Sequence, residues 1–279
     1  MTDAASPRES LAEMLRLERL RDGEFAARCE DFWGASLGGD VLARAALAAA
    51  ATCEGRQLHS LHASFLRPVP PGLRLALRVE PVADDVDEAH RQVRIEGDGL
   101  LCQVMARFAP PGDGLGYQDV KPRADLPAPE DLPSTLEQAR AEGWTDYARG
   151  PIEFRRVNPR VWPDPTGDTS GGHVEWMRPR APLGDDPRLQ MAALVFLADF
   201  YSHWAFERRV GGKFAHDRFR PLDHALWIHR PVHWNDWWLM ETISEVAQAG
   251  RALSRRRIFT REGLLVATAV QEARVAKSS

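Results

Sequence analysis

Runs of apolar residues along the chain predict two long helices, each accompanied by shorter strand-like runs. Residues 38–53 open with two glycines and continue as an Ala-rich stretch without turn residues, which indicates a helix able to lie close against a sheet. A second helix is expected from the Asp-Pro pair at 186–187 to about Arg209, with the glycine pair 211–212 closing it. A capping box and apolar spacing predict a short amphipathic helix over residues 10–20.

Short β-type runs separated by Gly, Pro and Asp turn signals lie around each long helix, in the order strand, helix and then a meander of strands. In the first half, strands are expected at residues 25–29, 61–66, 73–82, 89–96 and 100–108. In the second half, they are expected at residues 152–157, 173–177, 222–232, 238–246, 251–259 and 264–274. A long helix with a meander of strands that wraps it is an α+β layout, and the chain carries this layout twice.

The two halves also share sequence. LHSLHASFLRPV at 58–69 corresponds to PLDHALWIHRPV at 221–232, and the Gly-Leu-Leu at 99–101 recurs at 263–265, so the offset is 163 to 164 residues. An offset this long exceeds the roughly 20–50 residues of solenoid or propeller repeats and predicts a duplicated domain. The expected division is an N-terminal domain over residues 1–110, a Pro-rich linker over 111–150 and a C-terminal domain over 151–279.

Composition narrows the class of partner. The 36 basic and 40 acidic residues are spread along the chain and give a net charge of −4, so no nucleic-acid partner is expected. No window approaches 18 apolar residues, and the N-terminus has no apolar signal core, so we expect no membrane partner and a cytoplasmic location. The three cysteines lack metal-type spacing and no acidic cluster accompanies the histidines, so no metal site is predicted.

Several segments resemble the type II acyl-CoA thioesterases. They are LAEMLRLERLRDGEFAAR near the N-terminus, SLGGDVLARAAL at the first long helix, HSLH with FLRP from position 59, LDHALW with HRP from position 222, and LVATAVQE near the C-terminus. The resemblance implies a double hot-dog fold, in which two tandem domains each wrap a long helix in an antiparallel sheet. It also implies hydrolysis of acyl-CoA to a free acid and CoA, and further pairing of such units into a homo-oligomer.

The same resemblance implies the residues that act. Family members hold the attacking water with an Asp on the second long helix, a Ser or Thr hydroxyl before the following strand, and a Gln on the last strand. Asp199 and Gln271 match the acid and the amide, whereas Pro221 stands where the hydroxyl is expected. Because a thioester is already activated, hydrolysis needs an oriented water, a proton acceptor and donors for the oxyanion, and no cofactor.

The residues leave alternatives open for Asp199. It shares a predicted helix face with Val195 and Phe196, so its carboxylate is either a desolvated base or a hydrogen-bonded structural anchor. Asp40 is a possible counterpart in the first helix, although an acid at a helix start also stabilises that terminus.

The strand and the turn residues also allow two interpretations. Gln271 either holds a water or makes a cross-strand hydrogen bond, and the 164-residue offset pairs it with Arg107. That pairing places catalysis in the second half. Ser202 and His203 lie three and four residues beyond Asp199, on its predicted helical face, and either supply the missing hydroxyl or pack.

Five further residues are candidates around the site. Asp223 and His224 adjoin it in sequence and are expected to help fix its geometry. The Gly38-Gly39 pair can bring backbone N–H groups of a helix start close to an acyl carbonyl, and His59 is a candidate for substrate contact.

Two rival functions remain at this point. Because Pro221 replaces the expected hydroxyl, one alternative function is that of a hot-dog protein that binds acyl thioesters with little or no turnover. An enoyl-CoA hydratase on the same fold would need an Asp and a His in a hydratase-type segment, and the nearest pair, Asp199 and His203, lies within one predicted helical turn.

Overall fold

The computed structural model describes residues 10–32, 36–112, 114–142, 150–157, 172–210 and 219–276. The helices are α1 Leu11–Met14, α2 Gly38–Ala50, α3 Thr135–Glu142, α4 Pro187–Asp199 and α5 Trp204–Val210. The strands are β1 Glu18–Arg21, β2 Glu24–Arg28, β3 Gln57–Phe65, β4 Arg74–Asp84, β5 Ala89–Gly97, β6 Gly99–Ala109, β7 Ile152–Arg156, β8 His173–Pro179, β9 Arg220–Pro221, β10 Asp223–Ile228, β11 Trp238–Gln248, β12 Arg251–Phe259 and β13 Leu265–Arg274.

The strands form one antiparallel sheet in the order β1-β2-β4-β5-β6-β3-β10-β13-β12-β11-β8-β7, with β9 paired to β13. Every strand on one side of the β3–β10 junction comes from the first half of the chain, and every strand on the other side from the second. At the junction Leu61 pairs with Leu226, and both side chains are fully buried. The two halves therefore share a continuous sheet.

Helices α2 and α4 pack against each other inside this sheet. Both are 13 residues long, and the N-terminal Gly39 of α2 meets the last turn of α4, so the two helices run antiparallel. A Cβ at Gly39 would lie 2.5 Å from the carbonyl oxygen of Phe196, so the absence of a side chain sets how closely the helices approach. The α+β layout with one long helix per half is confirmed.

The predicted N-terminal helix is shorter than expected. It ends at Met14 instead of about residue 20, and residues 18–21 form β1, an exposed edge strand paired with β2. The four side chains of β1 are all exposed, so the apolar spacing that suggested a helix has no face to bury there.

The second long helix is also shorter than expected. It ends at Asp199, followed by an extended Phe200 and a left-handed Tyr201 (φ 49°), and α5 begins only at Trp204. The guanidinium of Arg256 binds the carbonyls of Leu197, Ala198 and Phe200, and the carbonyl of Leu197 also accepts from the N–H of Phe200 in a tighter last turn, so the end of α4 is capped. The expected closing pair at 211–212 lies outside the described residues.

The remaining strands lie within a few residues of their predicted positions, and 251–259 coincides with β12. Two short strands, β1 and β9, were missed, and the strand expected over 222–232 ends at Ile228. The division into 1–110, 111–150 and 151–279 stays a prediction, and α3 lies within its middle span. None of the helices in the described ranges is long and apolar enough to cross a bilayer.

Candidate active site

Asp199 lies at the meeting point of the two halves. It is the last residue of α4, and its side chain is buried. Its Oδ2 accepts a hydrogen bond from the backbone N–H of Gly39, at 2.6 Å, across a separation of 160 residues. Its Oδ1 accepts a hydrogen bond from Nε2 of Gln271. The carboxylate is thus held by the start of α2 and by the last strand together.

Gln271 projects from the inner face of β13, where buried and half-buried residues alternate. The hydroxyl of Ser202 donates to Oε1 of Gln271. The direction of this chain follows from chemistry, because an ionised carboxylate accepts only. The amide must turn its NH2 to Asp199, its oxygen then faces Ser202, and the hydroxyl must donate. Ser202, Gln271 and Asp199 therefore form one directed hydrogen-bond chain.

Ser202 reaches Gln271 for a different reason than expected. Neither Ser202 nor His203 shares a helical face with Asp199, because α4 ends at Asp199 and both residues lie in the turn before α5. The left-handed Tyr201 redirects the chain there. The turn, and not a helical spacing, carries the hydroxyl to Gln271.

His224 lies beside the carboxylate on β10. Its Nδ1 is 3.7 Å from Oδ1 of Asp199, too far for a hydrogen bond, and neither ring nitrogen has a hydrogen-bond partner in the described structure. Burial lowers the pKa of His224, while the nearby Asp199 acts in the opposite direction. The imidazole is therefore neutral near pH 7 and packs against the site.

Cys102 lies on the inner face of β6, near Asp199. Burial raises the pKa of its thiol to about 12, and Asp199 adds to the rise. The thiol therefore stays protonated at neutral pH, so it is a poor nucleophile.

The glycine pair at the start of α2 is explained by close approach to the carboxylate and to α4. A Cβ at Gly38 would lie 2.8 Å from Oδ2 of Asp199 and 3.0 Å from the ring of Phe65. The N–H of Gly39 already donates a hydrogen bond to Asp199. Contact of these glycines with an acyl carbonyl stays a prediction.

Pro221 and Asp223 lie near the site but outside the hydrogen-bond chain. Pro221 forms β9 and pairs with Ala273, so its ring occupies a strand position at the edge of the site. Asp223 is exposed, and its carboxylate accepts from the backbone N–H of Glu272 at 3.1 Å.

His59 lies elsewhere, in a cavity on the outer face of the sheet. The cavity has a volume of about 510 Å³ and is lined by His59, Ser60, His62, His90, Met105, Arg107 and Trp227. Leu61 lies between Ser60 and His62 in β3, and Leu226 precedes Trp227 in β10. Both leucines are buried and point to the opposite face of the sheet. The structure therefore does not bring His59 to Asp199, and its contact with substrate stays a prediction.

Asp40 is not the counterpart of Asp199. It lies in the first turn of α2, whereas Asp199 ends α4, and Ala50 ends α2. Its carboxylate accepts from Nε of Arg44, at 2.9 Å, and from the backbone N–H of Glu30, at 3.0 Å. Asp40 thus ties the start of α2 to a buried arginine and to the preceding loop.

Arg107 is not the counterpart of Gln271 either. Its side chain is exposed on the outer face of β6, whereas Gln271 faces inward. Each strand has one extra residue near its start, at Leu101 in β6 and at Val266 in β13. Counting from these bulges gives an offset of 165, which aligns Gln271 with the inward Ala106. The repeat offset of 164 differs from this value by one residue, and a one-residue slip moves every side chain of a strand to the opposite face. The offset of 164 therefore paired Gln271 with the wrong residue.

The first half therefore carries Ala50 and Ala106 where the second half carries Asp199 and Gln271. Neither methyl side chain can accept a proton or hold a water. This asymmetry favours a single site per chain, with its acid and amide in the second half.

Arg256 is a residue that sequence reasoning missed. It is buried on the inner face of β12, and its guanidinium binds the end of α4, which carries Asp199. One signal was available, because β12 alternates with buried Ala252, Ser254 and Ile258, and a charged residue in such a row is unusual. Within the described ranges, no group of three or more His, Cys, Asp and Glu side chains is placed to hold a metal ion.

Comparison with known proteins agrees with this architecture. Residues 30–109 match the model of the acyl-CoA thioesterase N-terminal domain, and residues 124–275 match that of the acyl-CoA thioesterase C-terminal domain. The chain is similar to acyl-CoA thioesterase 2 of Haemophilus influenzae, with 28% identity over 94% of this chain and 96% of the relative.

Solved structures show the same fold along the whole chain. The crystal structure of an acyl-CoA thioesterase II, TesB2, from Mycobacterium marinum superposes with a TM-score of 0.75 and 28% identity, covering 97% of this chain and 99% of that one. A hot-dog-fold protein of unknown function from Alicyclobacillus acidocaldarius gives a TM-score of 0.81 at 15% identity, covering 96% and 98%, and so supports the fold alone. With matching family domains in both halves and a double hot-dog architecture throughout, the chain belongs to the acyl-CoA thioesterase family of thioester hydrolases.

Proposed function

We propose that this protein hydrolyses acyl-CoA to a free carboxylic acid and CoA, with Asp199 as the proton acceptor for water and Gln271 as the residue that orients it. The observation that carries the proposal is the directed chain from Ser202 through Gln271 to Asp199, closed on the other side by the N–H of Gly39. These groups are buried, so their hydrogen bonds hold them in one arrangement.

Asp199 and Gln271 supply the proton acceptor and the orienting group for the water. A water that accepts from Gln271 Nε2 and donates to Asp199 directs a lone pair outward, toward the thioester carbonyl carbon. As the new C–O bond forms, the water proton passes to Asp199. Collapse of the tetrahedral intermediate breaks the C–S bond, and the proton then moves from Asp199 to the departing thiolate. Atoms and charge balance without any further reactant.

The start of α2 supports the oxyanion. Helix N-termini carry a partial positive charge and unpaired N–H groups, and donors of this kind are worth about 10²–10³ in rate in enzymes that use them. The N–H of Gly39 donates to Asp199, so we propose that the N–H of Gly38 faces the carbonyl oxygen of the substrate. A side chain at Gly38 would fill the space beside Oδ2 of Asp199, where the reacting group must enter.

Ser202 supplies a hydroxyl near Gln271 in place of the one that is missing at Pro221. The hydroxyl expected before β10 is missing, but the hydroxyl of Ser202 contacts Gln271 from the turn after α4. We propose that Ser202 substitutes for it by locking the amide orientation. A Gln271 amide held in this orientation favours an enzyme over a protein that only binds acyl thioesters.

The test is release of free CoA thiol from short, medium and long acyl-CoAs by wild type, Asp199→Asn and Gln271→Ala. Saturable turnover is expected in wild type and a loss of at least about 100-fold in kcat for Asp199→Asn, the scale of removing a general base. Asp185→Asn is the matched control, because that carboxylate is exposed in the loop before α4. Absence of turnover in wild type, with acyl-CoA still raising the melting temperature, would instead establish a binding protein.

A further inference from the structure

Arg256 makes an unusual set of contacts for a buried arginine. Its Nη1 donates to the carbonyl oxygens of Leu197, Ala198 and Phe200, at 2.9, 3.1 and 2.6 Å. Its Nε donates to Oγ1 of Thr242, at 2.8 Å, which fixes the guanidinium from the neighbouring strand β11. Only 2% of its surface is exposed. One side chain of β12 thus binds the backbone on both sides of Asp199.

These contacts determine where α4 ends. The last carbonyls of a helix lack intrahelical partners and are satisfied by caps, water or basic side chains. Here the guanidinium binds carbonyls before and after Asp199, which leaves Phe200 and Tyr201 free to leave the helical path. That departure brings Ser202 to Gln271. Lysine has no counterpart of the Nε that bonds Thr242, and its ammonium ends one bond short of the position of Nη1, so it cannot reproduce both sets of contacts.

Arg256 also contributes charge. Burial lowers its pKa to about 10, against the effect of the carboxylates of Glu175 and Asp199, so it is a cation at neutral pH. Glu175 lies on β8 and is fully buried. Among the described residues, His224 on β10 and Cys102 on β6 also interact electrostatically with Asp199, and both are neutral near pH 7. Arg256 is thus the cation that faces the carboxylate among these groups.

We infer that Arg256 is a positioning residue for hydrolysis, which ends α4 at Asp199 and places Ser202 against Gln271. The inference rests on the proposed function. It assigns the arrangement of the catalytic groups to a contact between β12 and the end of α4.

The test compares Arg256→Lys, Arg256→Met and Thr242→Val with wild type and Asp199→Asn, measuring kcat and KM from pH 5 to 9 on the best acyl-CoA of the panel. Arg257→Met is the matched control, because Arg257 is the next residue of the same strand and points to the opposite face. Melting temperatures identify variants that fold. Thr242→Val removes only the hydroxyl that anchors Nε, and so provides a mild variant if Arg256→Met does not fold.

Arg256→Lys is expected to lower kcat by about 10-fold or more with KM changed less than about twofold, since the loss falls on the transition state. Arg256→Met, which removes every hydrogen bond of the guanidinium, is expected to lower kcat further than Arg256→Lys, again with KM changed less than about twofold. Thr242→Val is expected to lower kcat by about threefold, because it frees the guanidinium at Nε and leaves the three carbonyl contacts in place.

Two results distinguish failure of this inference from failure of the proposed function. Folded Arg256 variants, or Thr242→Val alone, that keep kcat within twofold of wild type would overturn the inference while Asp199→Asn still abolishes turnover. Wild-type protein without turnover would overturn the proposed function itself.

Discussion

Ser202 is the residue whose role depends most on the turn after α4. Its hydroxyl is the only group described here that donates to Oε1 of Gln271, and without it the amide can rotate away from Asp199. We expect Ser202→Ala to lower kcat by roughly 10-fold, about 1.4 kcal/mol, with little change in KM, since the loss is one of orientation. Steady-state assay of free CoA thiol checks this.

Ser202→Thr is the matched comparison for this residue, because it keeps the hydroxyl and adds one methyl group. It should retain more activity than Ser202→Ala if the hydrogen bond is what matters. Equal kcat for wild type and Ser202→Ala would show that Gln271 needs no such support.

The contact between α2 and α4 is the element interaction on which the site depends. Gly39 lies against the backbone of Phe196, so a methyl group there forces the helices apart and withdraws its N–H from Asp199. We expect Gly39→Ala to cost about 1–3 kcal/mol in the free energy of unfolding, the range of core overpacking, and to lower kcat as well. Denaturant unfolding and steady-state kinetics measure the two effects.

Gly116→Ala is the control for helix contact, because a Cβ at Gly116 would meet nothing within 4 Å. Its stability and kcat should match those of wild type. If Gly39→Ala were also silent, α2 would have room to shift, and the close packing of the two helices would not set the geometry of Asp199.

The whole molecule should unfold as one unit, because its sheet runs unbroken through the β3–β10 junction and its helices pack together. Leu61 and Leu226 pair at that junction and are fully buried. We expect Leu226→Ala to cost about 2–5 kcal/mol and to lower the temperature of a single calorimetric transition. Two transitions, of which only one moves, would mean that the halves unfold independently.

Much of the fold was predictable from local patterns. Alternation and turn residues located the main strands, and the Ala-rich run located α2, because each reports the burial of neighbours along one element. The errors arose where partners distant in sequence decided the outcome. Residues 18–21 joined the sheet because β2 was available as a partner, and the end of α4 at Asp199 is bound by Arg256 from the distant strand β12.

The candidate site divides in the same way. Asp199 and Gln271 were proposed through resemblance, and the structure brings them together, while their catalytic roles stay predictions. The proposed counterparts Asp40 and Arg107 were wrong, because position within a helix and the face of a strand follow from helix ends and bulges, which the repeat offset does not report.

By itself, the sequence determined the duplicated α+β architecture and most of its elements, because periodicity, capping and turn chemistry act between residues that are close along the chain. Only the tertiary structure decided where α4 ends, that Ser202 meets Gln271, and that Gly39 from the first half binds Asp199 from the second. These contacts join residues 56 to 160 positions apart, and their geometry depends on how sheets and helices pack, which no local pattern specifies.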